Sequence, residues 1–319
     1  MDWFNGKQNC PDEGAWITIG AFDGLHLGHQ RIFRQVSEGA AQSHQPAAVV
    51  TFFPHPVVIL RNIQNPFYLT LPHEKEKILN DLFDIDTLLT IPFDQDISNL
   101  SASAFLQQLH AQYRFSHLVV GYDFRMGKDR QGNFSVMTAV GNELGFCVLP
   151  IDPELSSNQP ISSTRIRSAV ERGDLPAANA MLGYPYKIIG DVVHGDGRGK
   201  HIGLPTANIA VFSQKLIPPT GVYAAFIHVD EIEYQAVVNI GYRPTFYENP
   251  SEKTIEVHIL DFTRQIYGHT VILDCIQQIR PEKKFDSVED LMDQIKQDIC
   301  QAKEVLEYAG KQKDLYLRP

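Results

Sequence analysis

Residues 15–30 read Ala-Trp-Ile-Thr-Ile-Gly-Ala-Phe-Asp-Gly-Leu-His-Leu-Gly-His-Gln, and no other stretch constrains the fold as much. Ala15 to Ile19 is apolar and β-branched without a breaker, which predicts a short buried strand. Gly20 and Gly24 then turn the chain. From Leu27 to Val36 the pattern is amphipathic at helical spacing. Strand, glycine turn and helix in that order aim free backbone N–H groups and the positive end of the helix dipole at one spot. His26 and His29, three apart at the helix entry, share a face. A polyphosphate is the natural occupant. A tight turn with two surface histidines is the simpler reading, and the whole constellation makes it the minority one.

The chain has 319 residues, which suggests two domains. Hydrophobic residues make up 43% and charged residues 21%, an ordinary globular balance. No apolar run is long enough to span a membrane, and Met1 to Cys10 lacks a signal-peptide core. A cytoplasmic location without a membrane partner is therefore expected. Cys10, Cys147, Cys275 and Cys300 are far apart and form no CxxC pair, which argues against a zinc site or a disulfide framework. A formal net charge of −10 argues against general nucleic-acid binding. A local cluster of donors can still hold one phosphate chain.

Further strands are predicted at Ala47 to Phe53, Thr87 to Ile91, His117 to Gly121 and Phe146 to Pro150. Helices are predicted from Leu71-Pro72 to about Phe83, from Ser101 to Tyr113 and from Phe134 to Leu144. This alternation predicts a doubly wound parallel α/β sheet, whose ligands bind at the carboxyl ends of strands. Gly20, Pro54 and Gly121 lie at such ends. Ser162 or Ser163 caps another helix, and Asp174 to Leu182 forms one more, stopped by Gly183. Near Tyr184-Pro185 the character changes. From Tyr186 to Arg280, short alternating stretches predict an antiparallel sheet or small β-barrel. Among them are Tyr223 to Val229, Tyr234 to Ile240, Thr254 to Leu260 and Val271 to Ile279. Asp286 to Ala309 closes the chain as an amphipathic helix, with Val288, Leu291, Met292, Ile295, Ile299, Val305 and Leu306 as its apolar stripe. The domains are read as 1–183 and 184–319.

Three more segments carry chemistry. Gly121 to Gly132 sets cations and glycines around Phe124, a composition that alone suggests a solvated turn. Ile161-Ser162-Ser163-Thr164-Arg165-Ile166-Arg167 alone suggests a capped helix with two exposed arginines. Val193 to Asn208 has glycine at positions 195, 197, 199 and 203, which lets the backbone approach a phosphate chain. It lacks the Gly-Lys-Ser/Thr of a Walker A loop, and a flexible hairpin is the default.

The motifs are more specific than their compositions. Gly-x-Phe-Asp-Gly-x-His-x-Gly-His-Gln, from Gly20, resembles the His-x-Gly-His signature of the nucleotidyltransferase superfamily. In full it resembles the adenylyltransferase module of the prokaryotic bifunctional riboflavin kinase/FAD synthetases (FMN adenylyltransferases). Gly-x-Asp-Phe-x-x-Gly-Lys from Gly121 and Ser-Ser-Thr-x-x-Arg from Ser162 recur in that family. Gly-Arg-Gly-x-x-x-Gly-x-Pro-Thr-Ala-Asn from Gly197 resembles its riboflavin kinase barrel, as do Asn239 to Phe246, Ile255 to Phe262 and Arg280 to Phe285. The resemblance runs from Ala15 to the last helix. It departs at Phe53, where the family more often has an acidic residue.

The resemblance implies a Rossmann-like nucleotidyltransferase domain followed by a small antiparallel barrel and a C-terminal helix. In the first, His26 and His29 would act on the phosphates of ATP, with Gly20, Phe22, Asp23, Gly24, Gly28, Ser162, Ser163, Thr164 and Arg167 binding nucleotide. Asp123 and Phe124 would meet the flavin ring, and Arg125 and Lys128 phosphate. Arg280 is assigned to flavin as well, with a structural role as its alternative. In the barrel, Gly195, Arg198, Gly199, Gly203 and Pro205 would bind nucleotide. Thr206 and Asn208 would hold Mg²⁺, and Glu256 would be the catalytic base.

Two reactions are then implied. ATP phosphorylates riboflavin to FMN, and the FMN phosphate attacks a second ATP to give FAD and pyrophosphate. An FMN phosphate is already anionic near neutrality, because its second pKa is about 6. Its site needs donors and alignment rather than a base. The ribityl alcohol is a weak nucleophile, so the other site should contain a base. Rival readings are a single-activity adenylyltransferase with a regulatory barrel and a non-catalytic flavin store. The first would not need Glu256 beside Pro205 to Asn208. The second would not need His26 and His29 with the Ser-Ser-Thr motif.

Overall fold

The computed structural model describes residues 14–195, 204–242 and 253–316. Its contacts divide the chain into two units, Met1–Ser163 and Thr164–Pro319.

The first unit is built on strands β1 (Trp16–Ile19), β2 (Ala47–Phe53), β3 (Thr87–Pro92), β4 (His117–Gly121) and β5 (Cys147–Ile151). They form one sheet in the order β3-β2-β1-β4-β5, with every neighbouring pair parallel. The chain winds outward from β1 to β3, then returns to lay β4 on the other side of β1. The carboxyl ends of β1 and β4 therefore flank the switch in strand order, where ligands of such sheets bind. Those ends are Gly20 and Gly121.

Helix α1 (Leu27–Ser43) runs past the predicted end at Val36. Gly39 inside it is a contact surface: a Cβ there would lie 2.3 Å from the Trp16 ring. The missing side chain lets α1 close on β1, and Trp16 Nε1 donates to Ser43 Oγ at 2.8 Å. The short helices α2 (Pro56–Leu60) and α4 (Gln95–Asn99) were not foreseen. Helices α3 (Pro72–Leu82), α5 (Ala102–Tyr113) and α6 (Phe134–Leu144) follow the pattern. A two-stranded hairpin, β6 (Leu155–Ser156) with β7 (Gln159–Pro160), precedes α7 (Ser163–Glu171).

In the second unit α8 (Leu175–Leu182) has the expected Asp174 cap and left-handed Gly183 stop. Strands β8 (Tyr186–Val193), β9 (Ala207–Ala210), β10 (Gly221–Val229), β11 (Ile232–Tyr242), β12 (Lys253–Ile259) and β13 (Thr270–Pro281) close a barrel in the order β10-β11-β12-β9-β8-β13. Strand β10 is buried on both faces. One face fills the barrel. The other, with Val222, Ala224 and Phe226, is covered by Ala302 and Leu306 of the last helix, α9 (Val288–Tyr316). Val288, placed in the apolar stripe from the sequence, is exposed.

Arg280 is paired within the second unit. Its Nε lies 2.9 and 3.0 Å from the two Asp298 oxygens and its Nη2 donates at 2.8 Å, pinning α9 to β13. Asp298 is buried and also accepts from Gln294. Removing one partner of a buried pair leaves an uncompensated charge. Asp298→Asn is therefore expected to cost about 3 kcal/mol in denaturant unfolding, with the KM for riboflavin unchanged. A raised KM at an unchanged unfolding midpoint would place Arg280 in flavin binding rather than in holding α9.

Candidate functional site

In the first unit the turn after β1 is held from several sides. Gly20 N–H donates to Val50 O at 3.0 Å, which continues the β1–β2 ladder by one residue. A Cβ on Gly20 would meet the Phe22 ring at 2.7 Å, so only glycine fits. Phe22 sits at φ 44°, Gly24 at φ 84° and Leu25 at φ 32°. Left-handed backbone at Phe22 and Leu25 is strain of the kind that collects at functional turns. Gly24 N–H donates to Thr70 Oγ1 at 2.9 Å.

Asp23 was expected to face nucleotide. It is buried, and its carboxylate accepts from Leu69 N–H at 3.2 Å and Thr70 N–H at 2.9 Å. It stitches the turn to the segment that enters α3. Ser163, at the start of α7, donates to Asp23 O at 2.8 Å and so reaches the turn's backbone. Ser162 precedes it, and Thr164, Arg165 and Arg167 lie in the first turns of α7.

His26 is the N-cap of α1, and its Nδ1 accepts a long bond from His29 N–H at 3.4 Å. The two rings stack with centroids 3.6 Å apart. A Cβ on Gly28 would approach the His26 ring to 3.2 Å, so this glycine leaves the ring its place. Phe22 meets His29 edge-on at 5.2 Å. Burial, then His26, then Lys75 push the His29 pKa well below the usual histidine value. His29 is therefore neutral at pH 7. Its Nδ1 is buried without a hydrogen-bond partner among the described residues, an atom that calls for an acceptor or donor from a ligand.

Lys75 was missed. It is buried on α3, and its Nζ donates to Ala21 O at 2.6 Å and to Thr51 Oγ1 at 3.2 Å.

The loop after β4 is an ordered turn. Met126 and Gly132 exchange backbone hydrogen bonds at 3.0 and 2.9 Å, and Lys128 N–H donates to Leu100 O at 2.8 Å. Phe124 is half-buried against the apolar core of the unit, while Asp123, Arg125 and Lys128 are exposed. Phe53 packs on Tyr68 with centroids 5.4 Å apart, within an apolar cluster that includes Val58 and Leu71.

In the second unit, strand register assembles the site. Glu256 on β12 lies directly opposite Asn208 on β9 and Asn239 on β11. Directly opposed residues share a face. Ile255, Val257 and Ile259 are buried, so Glu256 takes the other face of the strand, as its alternation predicts. Asn208, Glu256 and Asn239 thus form one polar row across three strands, on the barrel's outer surface. Asn239 was not singled out from the sequence. A Cβ on Gly195 would come within 2.0 Å of Asn208 Nδ2, so Gly195 leaves room for that side chain. Thr206 and Pro205 immediately precede β9, and Pro205 O lies 2.9 Å from His258 Nδ1. Arg198, Gly199 and Gly203 lie outside the described residues, as do Arg243 to Phe246.

Among the described residues no helix is long and apolar enough to cross a membrane. The chain matches the family model described as FAD synthetase over residues 8–165 and the one described as riboflavin kinase over residues 182–306. It is 36% identical over 283 residues to the bifunctional riboflavin kinase/FMN adenylyltransferase of Bacillus subtilis (strain 168), covering 88% of this chain and 89% of that protein. The protein of the same name from Escherichia coli (strain K12) is 35% identical over 299 residues, covering 93% and 94%. A crystal structure described as a macrolide-efflux protein from Streptococcus pneumoniae superposes with a TM-score of 0.83 at 31% identity, covering 92% and 95% of the two chains.

Proposed function

The chain belongs to the family of bifunctional riboflavin kinases/FMN adenylyltransferases, and from that premise we propose which residues perform each step. It phosphorylates riboflavin to FMN with ATP and adenylylates FMN to FAD, releasing pyrophosphate.

In adenylyl transfer the FMN phosphate attacks the α-phosphate of ATP. The turn from Gly20 to Gly24 and the N-terminus of α1 receive the polyphosphate. His26 and His29 donate to the oxygens on which charge develops, and Arg167 with the Ser162 to Thr164 turn holds the leaving pyrophosphate. Phe124 walls the flavin, with Asp123, Arg125 and Lys128 at its polar edge.

In the kinase step Glu256 removes the ribityl 5′-hydroxyl proton as the γ-phosphate transfers. Thr206 and Asn208 offer neutral oxygen donors beside that carboxylate, a set suited to Mg²⁺ that is also held by ATP oxygens and water. The ion would supply neutralisation of charge on the transferring phosphoryl group. Gly195, Arg198, Gly199, Gly203 and Pro205 make the nucleotide side of this site. Asn239, next to Glu256 in register, helps to orient its carboxylate. The free thiols of Cys147, Cys275 and Cys300 fit the cytoplasmic location that goes with this reading.

The observation that carries the assignment is the Asn208–Glu256–Asn239 row, three polar groups brought together from three strands of one barrel. The test is incubation with riboflavin, ATP and Mg²⁺, with flavins separated by chromatography. FMN should rise first and FAD follow. Accumulation of FMN alone would remove the adenylyl-transfer assignment.

The proposed functional boundary is 183/184. The Asn179 side chain donates to Cys275 O at 3.0 Å and accepts from Tyr186 N–H at 2.8 Å, so α8 is fastened to the barrel. A fragment starting at Tyr184 is expected to make FMN from riboflavin but to unfold at lower denaturant than one starting at Thr164. Equal midpoints would show that α8 adds nothing to the barrel.

A further inference from the structure

Lys75 is a buried ammonium that touches no carboxylate among the described residues. Its hydrogen-bond acceptors are the Ala21 carbonyl and the Thr51 hydroxyl. Thr51 Oγ1 itself lies 3.1 Å from Ala21 O, so that carbonyl is fixed from α3 and from β2 at once. The 21–22 peptide is trans, and its N–H points away from its C=O. Anchoring Ala21 O toward Lys75 therefore turns the Phe22 N–H to the opposite side. Phe22 is buried, and its N–H has no acceptor among the described residues. A backbone donor left without a partner in a turn of this kind is available to an acceptor that arrives with a ligand. The orphaned Nδ1 of His29 belongs to the same turn, beside Phe22.

We propose that Lys75 is a positioning residue for adenylyl transfer: it locks the 21–22 peptide so that Phe22 N–H is presented to a polyphosphate oxygen, and it sets a positive charge behind that donor. The inference rests on the turn being the phosphate site. The titratable groups facing Lys75 are Asp23 from the turn and His29 from α1, while β2 presents the neutral Thr51. Asp23 is held by two backbone N–H groups, and His29 is already neutral near pH 7, so His29 does not change charge above neutrality. Burial lowers the Lys75 pKa to about 8, against the opposing pull of Asp23. Loss of its charge therefore begins within the working pH range of the free protein.

The test measures kcat and KM for ATP in both reactions of the full chain between pH 6.5 and 9.5. Above about pH 8 the adenylyl-transfer kcat/KM should fall about tenfold per pH unit, and the kinase reaction should lack that limb. Lys75→Met should lower adenylyl-transfer kcat/KM by about 10²-fold and abolish the limb, leaving the kinase within twofold. Lys75→Arg keeps the charge and should show no limb in this range. If Lys75→Met impairs folding, seen as loss of both activities, the parent profile and Lys75→Arg decide. A parent profile flat to pH 9.5, a limb retained in Lys75→Arg, or adenylyl transfer within threefold of parent in Lys75→Met overturns the proposal. Should His29→Ala abolish adenylyl transfer while Lys75→Met spares it, only this inference falls. Should both spare it, the turn is not the phosphate site.

Discussion

Replacing His26 and His29 together by Ala is expected to lower FAD formation from FMN by at least about 10³-fold, and to leave FMN formation from riboflavin at its parent rate. The rings stack at 3.6 Å at the entrance to α1, where the backbone N–H groups of the first turn converge. Under the proposed roles, donors fixed there need no reorganisation as charge builds on the phosphates. His26 also caps α1, so its loss carries a stability cost of about 1 kcal/mol. His29→Ala alone keeps the cap and is expected to show most of the rate loss. Parallel losses in both reactions would mean that the substitution unfolds the protein and that the roles assigned to the imidazoles fail.

The second large effect is at Glu256. Glu256→Gln keeps the size of the side chain and removes its basicity. A positioned general base contributes about 10²–10⁴-fold, and riboflavin phosphorylation should fall by that amount. FMN adenylylation and riboflavin binding should change little. Asn208 and Asn239 flank Glu256 in register, so the amide has polar neighbours and no buried charge is stranded. Asn239→Ala should have a smaller effect, seen in kcat rather than in KM, because it loosens the carboxylate without removing it. A Glu256→Gln kinase rate within a few-fold of parent would leave the row as a solvated strand surface.

Elements whose limits are set by local chemistry were legible in the sequence. Strand β2, strand β4 and helix α6 start and stop where apolar runs meet Pro, Gly or an Asn cap. Helix α1 runs on past Val36, and Gly39 within it admits the Trp16 ring, a packing partner that local spacing does not reveal. The five-residue helices α2 and α4 have too few turns for periodicity to register. Partners distant in the chain were the harder part. Asp23 and Arg280 carry the charges a ligand site would want, and nothing near them in sequence points to Thr70 or Asp298. Lys75 had a signal that went unused. It stands at helical spacing with Leu71, Ile78 and Leu79, on a buried face where a lysine needs a reason. Asn239 had a similar one, as an amide between Val238 and Ile240 in an apolar strand.

The central claim is that two separate sites on one chain act in succession. It is tested most directly by mixing Glu256→Gln protein with His26→Ala/His29→Ala protein and supplying riboflavin, ATP and Mg²⁺. Alone, the first should make FAD from FMN but almost none from riboflavin, and the second should stop at FMN. Together they should form FAD from riboflavin, since each supplies the site the other lacks. A mixture that makes no FAD from riboflavin, although each variant retains its own half-reaction, would contradict the account.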